Sequence, residues 1–141
     1  MSSFGKTVLI DTGFWYAFYN GRDEHHEKAE EKADLLETST ILIPWPSLYE
    51  TFNSRFAKNM LAVRHFEKLL RQAHVVRISD EPYREAALEV AIASVTTRCF
   101  ALVDVVIRLI LEDINVRKHG LLTFNQRDFG DLCRKHRVEM L

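Results

Sequence analysis

Val8-Leu9-Ile10-Asp11-Thr12 is the stretch that decides the fold. Three branched apolar residues in succession, closed by a polar pair, read as a short buried strand. The run stops on a carboxylate. An acid there leaves the core at the strand's carboxyl end, the edge of an open α/β sheet where ligands bind. Glu50, Asp104 and Asp128 then recur at places where a strand ends or a helix begins.

Working outward, strand one is Thr7–Ile10, followed by a turn and the aromatic stretch Phe14–Tyr19, which Asn20-Gly21 breaks. A charged helix is predicted from about His25 to Thr38, with Ala29, Ala33 and Leu36 inward. Strand two is Ile41–Ile43. Pro44 and Pro46 open the next helix, Ser47–Lys58, where early prolines are tolerated. A further helix covers Leu61–Gln72, and strand three is Val75–Ile78. Ser79-Asp80-Glu81-Pro82 starts a helix over Glu81–Thr96. Leu102–Arg117 is apolar nearly all round and predicts a buried helix ended by Gly120. Leu121–Thr123 is strand four, and Val138–Met140 a short edge strand. Strands alternating with helices give an α/β fold, a parallel sheet with helices on both faces.

The chain of 141 residues fits one domain, 1–141, with a real core. An apolar content of 47% argues against disorder, and a net charge of −1 excludes a basic tail that coats nucleic acid. Cys99 and Cys133 form no CxxC or zinc spacing and read as inert packing residues. The apolar segment Val8–Ile10 is too short for a signal peptide, and charges interrupt the longest apolar helix. A reduced, cytoplasmic setting away from the membrane is expected.

Each acid has a plain structural reading. Asp11 fits an N-cap or Asx turn. Glu50, three residues after Ser47, fits a capping box. Asp104, Arg108 and Glu112 fit an i, i+4, i+8 ladder of salt bridges. Asp128 fits the N-cap of a segment over Phe129–Lys135. Four acids at one sheet edge repel one another, so a fold keeps them with compensating cations. Hard oxygen ligands suit Mg²⁺ or Mn²⁺ rather than zinc. Ions held by acids can activate a water and neutralise the leaving oxygen of a phosphodiester.

Val8-Leu9-Ile10-Asp11-Thr12-Gly13-Phe14-Trp15, Glu50, Leu102-Val103-Asp104 and Leu121-Leu122-Thr123-Phe124-Asn125-Gln126-Arg127-Asp128-Phe129, in that order, resemble a PIN domain. The likeness is greatest to the small VapC-type toxins of toxin–antitoxin pairs and covers the whole chain. It implies a single three-layer α/β/α nuclease domain with a four- or five-stranded parallel sheet. It also implies Mg²⁺- or Mn²⁺-dependent endoribonuclease activity on single-stranded or looped RNA, a small antitoxin partner and a homodimer. Carried over by position, Asp11, Glu50 and Asp104 match three catalytic acids. Asp128 stands as the fourth, with Asn125 its neutral neighbour in the place where many relatives have an acid. Asp11, Asp104 and Asp128 are then the metal ligands, Asp11 and Asp104 holding the principal ion while Glu50 and Asp128 orient waters or a second ion, and Thr12, Thr123 and Asn125 support the pocket. Ala101 stands where relatives often carry a Ser or Thr.

Arg55, Arg108 and Arg127, with Lys58 and Arg64, are the candidates for RNA phosphates. Arg108, one turn beyond Asp104, is expected either to pair with it or to neutralise the pocket until substrate arrives. The aromatic stretch, with Trp45, Tyr49 and Phe52, is expected mostly in the core, with some of it free to stack unpaired bases or form a groove for a partner helix, and His25 and His26 in solvent. Two other readings compete. One is a catalytically silent PIN-like module that binds RNA or protein, motivated by Asn125 and Ala101. The other is a phosphoacceptor receiver domain, which also places acids at the carboxyl edge of a parallel sheet. Against the receiver, no second acid cluster accompanies Asp11 and no Lys follows strand four.

Overall fold

A computed structural model describes residues 5–141, so residues 1–4 of the expected domain lie outside the described residues. Its elements, in chain order, are β1 (Thr7–Ile10), α1 (Thr12–Tyr19), α2 (His26–Glu31), α3 (Ala33–Thr38), β2 (Thr40–Pro44), α4 (Trp45–Phe52), α5 (Met60–Leu70), β3 (Val75–Ile78), α6 (Arg84–Ala93), α7 (Leu102–Glu112), β4 (Gly120–Leu122), α8 (Gln126–His136) and β5 (Glu139–Met140). The strands form one parallel sheet in the order β3-β2-β1-β4-β5.

The two-residue period of the strands sorts the core. Val8, Ile10, Ile41, Ile43 and Leu122 point to one face, where they meet Phe14 and Trp15 of α1, Leu36 of α3 and Phe66 of α5. Leu9, Leu42 and Leu121 point to the other, against Val106, Ile107 and Ile110 of α7 and Phe129 and Leu132 of α8. The result is the expected three-layer α/β/α arrangement with five strands. The strand order reverses between β1 and β4, so the crevice beyond their carboxyl ends is the sheet's topological switch point.

Several expected boundaries shift. The aromatic stretch is itself helical, because Asp11 caps α1 by accepting the Thr12 N–H. The helix expected over His25–Thr38 divides at Lys32 into α2 and α3. The helix expected to begin at Ser47 begins at Trp45 and stops at Phe52, where Ser54 caps a separate 3₁₀ turn, Arg55–Lys58. Short 3₁₀ turns, Glu81–Tyr83 and Ser94–Thr96, flank α6. α7 ends at Glu112, and Gly120 opens β4 rather than closing the helix. α7 is also buried on one side only, since Leu102 is 48% exposed.

Side-chain expectations change too. His26 is not simply solvated: its Nδ1 lies 2.7 Å from the Ala17 carbonyl and its Nε2 meets Glu30. His25 stacks on Phe124, with 4.5 Å between ring centroids. Trp45, Tyr49 and Phe52 are exposed rather than core, whereas Phe14 and Trp15 are fully buried. Cys133 is buried as expected. Cys99 is exposed rather than packed in the core, at a positive φ of 33°.

Candidate functional site

All four acids face the crevice at the switch point, each delivered by a different element. Asp11 follows β1, Glu50 stands in the second turn of α4, and Asp104 and Asp128 occupy the first turns of α7 and α8. The positive N-terminal ends of α1, α7 and α8 favour anions there.

Asp11 is the anchor. It is 7% exposed, and its carboxylate accepts the Thr12 N–H at 2.7 Å and the Thr123 hydroxyl at 2.9 Å. Burial pushes its pKa up and those two hydrogen bonds pull it back, while the charges of Glu50 and Asp128 add to the rise. The Thr12 hydroxyl donates to Glu50 Oε1 at 2.8 Å, tying α1 to α4. This overturns the capping-box reading of Glu50. Ser47 is inside α4 with its hydroxyl buried and unpartnered, and Pro44 holds the N-cap position.

Asp104 stands apart. Its carboxylate has no hydrogen-bond or ion-pair partner among the described residues. Burial, then the charges of Asp11, Asp128 and Glu50, push its pKa up to about 7. Neither the expected ladder nor the expected neutralising contact forms. Arg108 turns away from Asp104 and donates through both Nη atoms to Asp131, at 2.8 Å each, and through Nη1 to the Asp128 carbonyl at 2.6 Å.

The fourth position is shared. Asn125, not Asp128, is the N-cap of α8: its Oδ1 accepts the Asp128 N–H at 3.3 Å. Its amide donates to Asp128 Oδ2 at 2.8 Å, and its own N–H donates to the Thr123 hydroxyl at 2.9 Å. A chain of polar contacts thus runs Asp11–Thr123–Asn125–Asp128. Arg98, at 3.4 Å from Asp128 Oδ1, gives that acid a partial countercharge.

Arg98, Asp131 and Tyr16 escaped the sequence reading. Tyr16 donates its hydroxyl to the Glu50 carbonyl at 3.0 Å. No local pattern marks Arg98 or Asp131, which act across 30 and 23 residues. Tyr16 had a signal, a position four residues after Thr12 on the same helical face. Of the RNA candidates, Arg55 and Arg127 are exposed and Arg108 is committed to Asp131.

The acids sense one another's charge, yet among the described residues no three His, Cys, Asp or Glu groups close around one point. The expected direct set of Asp11, Asp104 and Asp128 is therefore not drawn into a single cage. Uncompensated, all-oxygen donors in an open arrangement suit a hard divalent ion that keeps much of its water and takes one or two carboxylates.

No family model matches the chain, and no curated protein sequence matches it. Among solved structures it is similar to Mycobacterium tuberculosis VapC20, a sarcin–ricin loop cleaving toxin, with a TM-score of 0.68 and 16% identity over 88% of this chain and 94% of that one. It is also similar to a chain of Rickettsia felis VapBC2, solved bound to a DNA fragment from their promoter. There the TM-score is 0.58 and the identity 14%, over 96% and 97% of the two chains. The architecture is thus a PIN-like α/β/α fold. Within that class it is the fold of VapC toxins, as the order of the sequence motifs implied.

Proposed function

We propose that this protein is an endoribonuclease and the toxin of a toxin–antitoxin pair, cleaving single-stranded or looped RNA with Mg²⁺ or Mn²⁺ in the cytoplasm. The observation that carries the reading is the convergence of Asp11, Glu50 and Asp104 at the switch point with no cationic side chain paired to them among the described residues. Such a cluster calls for a cation from outside. The described activity of VapC20 and the promoter-bound VapBC2 complex support an RNA substrate and an antitoxin. Among the described residues no helix is long and apolar enough to cross a membrane.

In this reading Asp11 and Asp104 would hold the ion, with Asp128 and Glu50 orienting its waters. A divalent ion there supplies a water of lowered pKa and neutralises charge on the phosphate. Thr12 and Thr123 fix the carboxylates they bond, so little reorganisation remains when substrate binds. Asp104 gives up its proton near neutral pH to become a ligand. A homodimer is part of the same proposal.

The test compares wild type with Asp11→Asn and Asp104→Asn on labelled single-stranded RNA, in Mg²⁺, Mn²⁺ or EDTA. Cleavage that needs metal and disappears in both folded variants is the expected result. Absence of cleavage in every metal, from inhibitor-free protein on a broad RNA pool, would leave a silent binding module. Cleavage surviving both substitutions would move the active site elsewhere.

A further inference from the structure

Beside Glu50 lies a pocket of about 570 Å³, between the end of α1 and the 3₁₀ turn Arg55–Lys58. Its walls include Tyr16, Tyr19, Asn20, Arg22, Arg55 and Asn59, and no acidic side chain lines it. The charge contrast with the crevice next door is complete. Arg22 and Arg55 are both exposed, and neither guanidinium has a hydrogen-bond or ion-pair partner among the described residues.

Tyr16 joins the pocket to the acids. Its ring lines the pocket while its hydroxyl is bonded to the Glu50 carbonyl, where burial first, and then the Glu50 and Asp11 charges, raise its pKa. Tyr19 is a fixed wall, held by its hydroxyl against His65 Nδ1 at 2.8 Å and by its ring against Phe56. The Asn20 and Asn59 side-chain oxygens accept main-chain N–H groups, and neither amide nitrogen has a hydrogen-bond partner among the described residues. Unpaired arginines, an aromatic wall and free amide donors suit a chain that alternates anionic groups with flat rings.

We propose that this pocket is a subsite for single-stranded RNA. Arg22 and Arg55 contact successive backbone phosphates, and the Tyr16 ring receives an unpaired base, so that the strand is led to the acids past Glu50. The proposal rests on the ribonuclease reading and extends it to a binding track outside the acid cluster. An acidic peptide would satisfy the arginines and leave the tyrosine ring and amide donors unused.

The experiment measures binding of a short fluorescein-labelled single-stranded RNA of mixed sequence to full-length Asp104→Asn protein, across a salt series. Arg22→Gln/Arg55→Gln and Arg22→Lys/Arg55→Lys are each placed on that background. The Gln pair is expected to weaken binding about tenfold and to lower the slope of log affinity against log salt by about 1.4, roughly 0.7 for each phosphate lost. The Lys pair keeps the slope, and Tyr16→Leu weakens binding with no change of slope. An unchanged slope and affinity in the Gln pair, with its thermal unfolding intact, overturns the subsite. So does displacement of the RNA by an acidic peptide that binds as tightly. Wild-type cleavage is followed alongside: its absence with arginine-dependent binding retained sinks the nuclease reading alone.

Discussion

Arg108 of α7 is joined to Asp131 of α8 by two parallel hydrogen bonds of 2.8 Å, across 23 residues, although Asp104 stands one helical turn away on its own helix. The guanidinium also lies 4.6 Å from the centre of the Phe100 ring. A planar fork matches a carboxylate best in this bidentate form. By taking Asp131, Arg108 leaves Asp104 without a countercharge and fixes the angle between the two helices that carry the third and fourth acids.

Arg108→Ala is therefore expected to lower stability by about 1–3 kcal/mol, measured by urea unfolding, mainly through the lost link between helices. The Arg108 guanidinium holds the Asp131 carboxyl down, at about 2 against an ordinary 3.8. Its stabilising contribution is present above pH 3.8 and lost as pH falls toward 2. Because Asp131 is 46% exposed, solvent limits that contribution to about 1 kcal/mol. The variant should lose this acid-limb dependence.

Thr123 bonds Asp11 through its hydroxyl and receives the Asn125 N–H on the same oxygen. Thr123→Val keeps the volume and removes both bonds. The expected cost is about 1–3 kcal/mol of stability, with ribonuclease activity down at least about tenfold. Thr123→Ser should retain both properties, and equal behaviour of Val and Ser would show that the hydroxyl is idle.

Metal-free protein should grow less stable as pH rises from about 4 to about 7. Asp104 ionises near 3.8 in the unfolded chain and at about 7 in the folded one, so the folded state binds the extra proton across that window. Asp104→Asn is expected to flatten the trend and to be more stable by about 1–2 kcal/mol above pH 7, a figure discounted for partial exposure. Mg²⁺ should raise the wild-type melting temperature more at alkaline than at acid pH, because binding must displace that proton. Scanning calorimetry across pH, with and without metal, checks both.

His26 pins α2 to the Ala17 carbonyl of α1, and that bond, with Glu30 nearby, raises its pKa above 6.5. A raised histidine stabilises below the unfolded pKa, and the effect fades as pH climbs through the folded value. His26→Ala should accordingly lower the melting temperature more on the acid side of neutrality than on the alkaline side. Equal losses at both would mean that His26 acts by packing alone.

The strands were legible because their information is local. Thr7–Ile10 is an apolar, β-branched run and Val75–Ile78 one interrupted only by Arg77; each is closed by a polar residue, and both match the structure residue for residue. Asp11, Asp104 and Asp128 stand where a strand ends or a helix begins, as their sequence positions suggest, whereas Glu50 lies in the second turn of α4. The acids' partners were not legible. Glu50 to Ser47 is the short-range solution that the sequence offers, and Thr12, reached across 38 residues, displaces it once the sheet brings α1 and α4 together. Helix ends failed for a related reason. Lys32 and Ser54 are unremarkable in sequence, and the chain bends there to keep Ala29, Leu36 and Phe56 on one core.

β1 lies at the centre of the sheet, and the strand that completes its crevice side, β4, is 110 residues further along the chain. A ribosome releases Asp11 early, but the hydroxyl that steadies its carboxylate arrives only with Thr123. Until then the nascent polypeptide lacks Asp128 as well. The acid cluster is thus complete only when nearly the whole chain has been made, and a chain ending before β4 lacks both Asp128 and the Thr123 hydroxyl that holds Asp11.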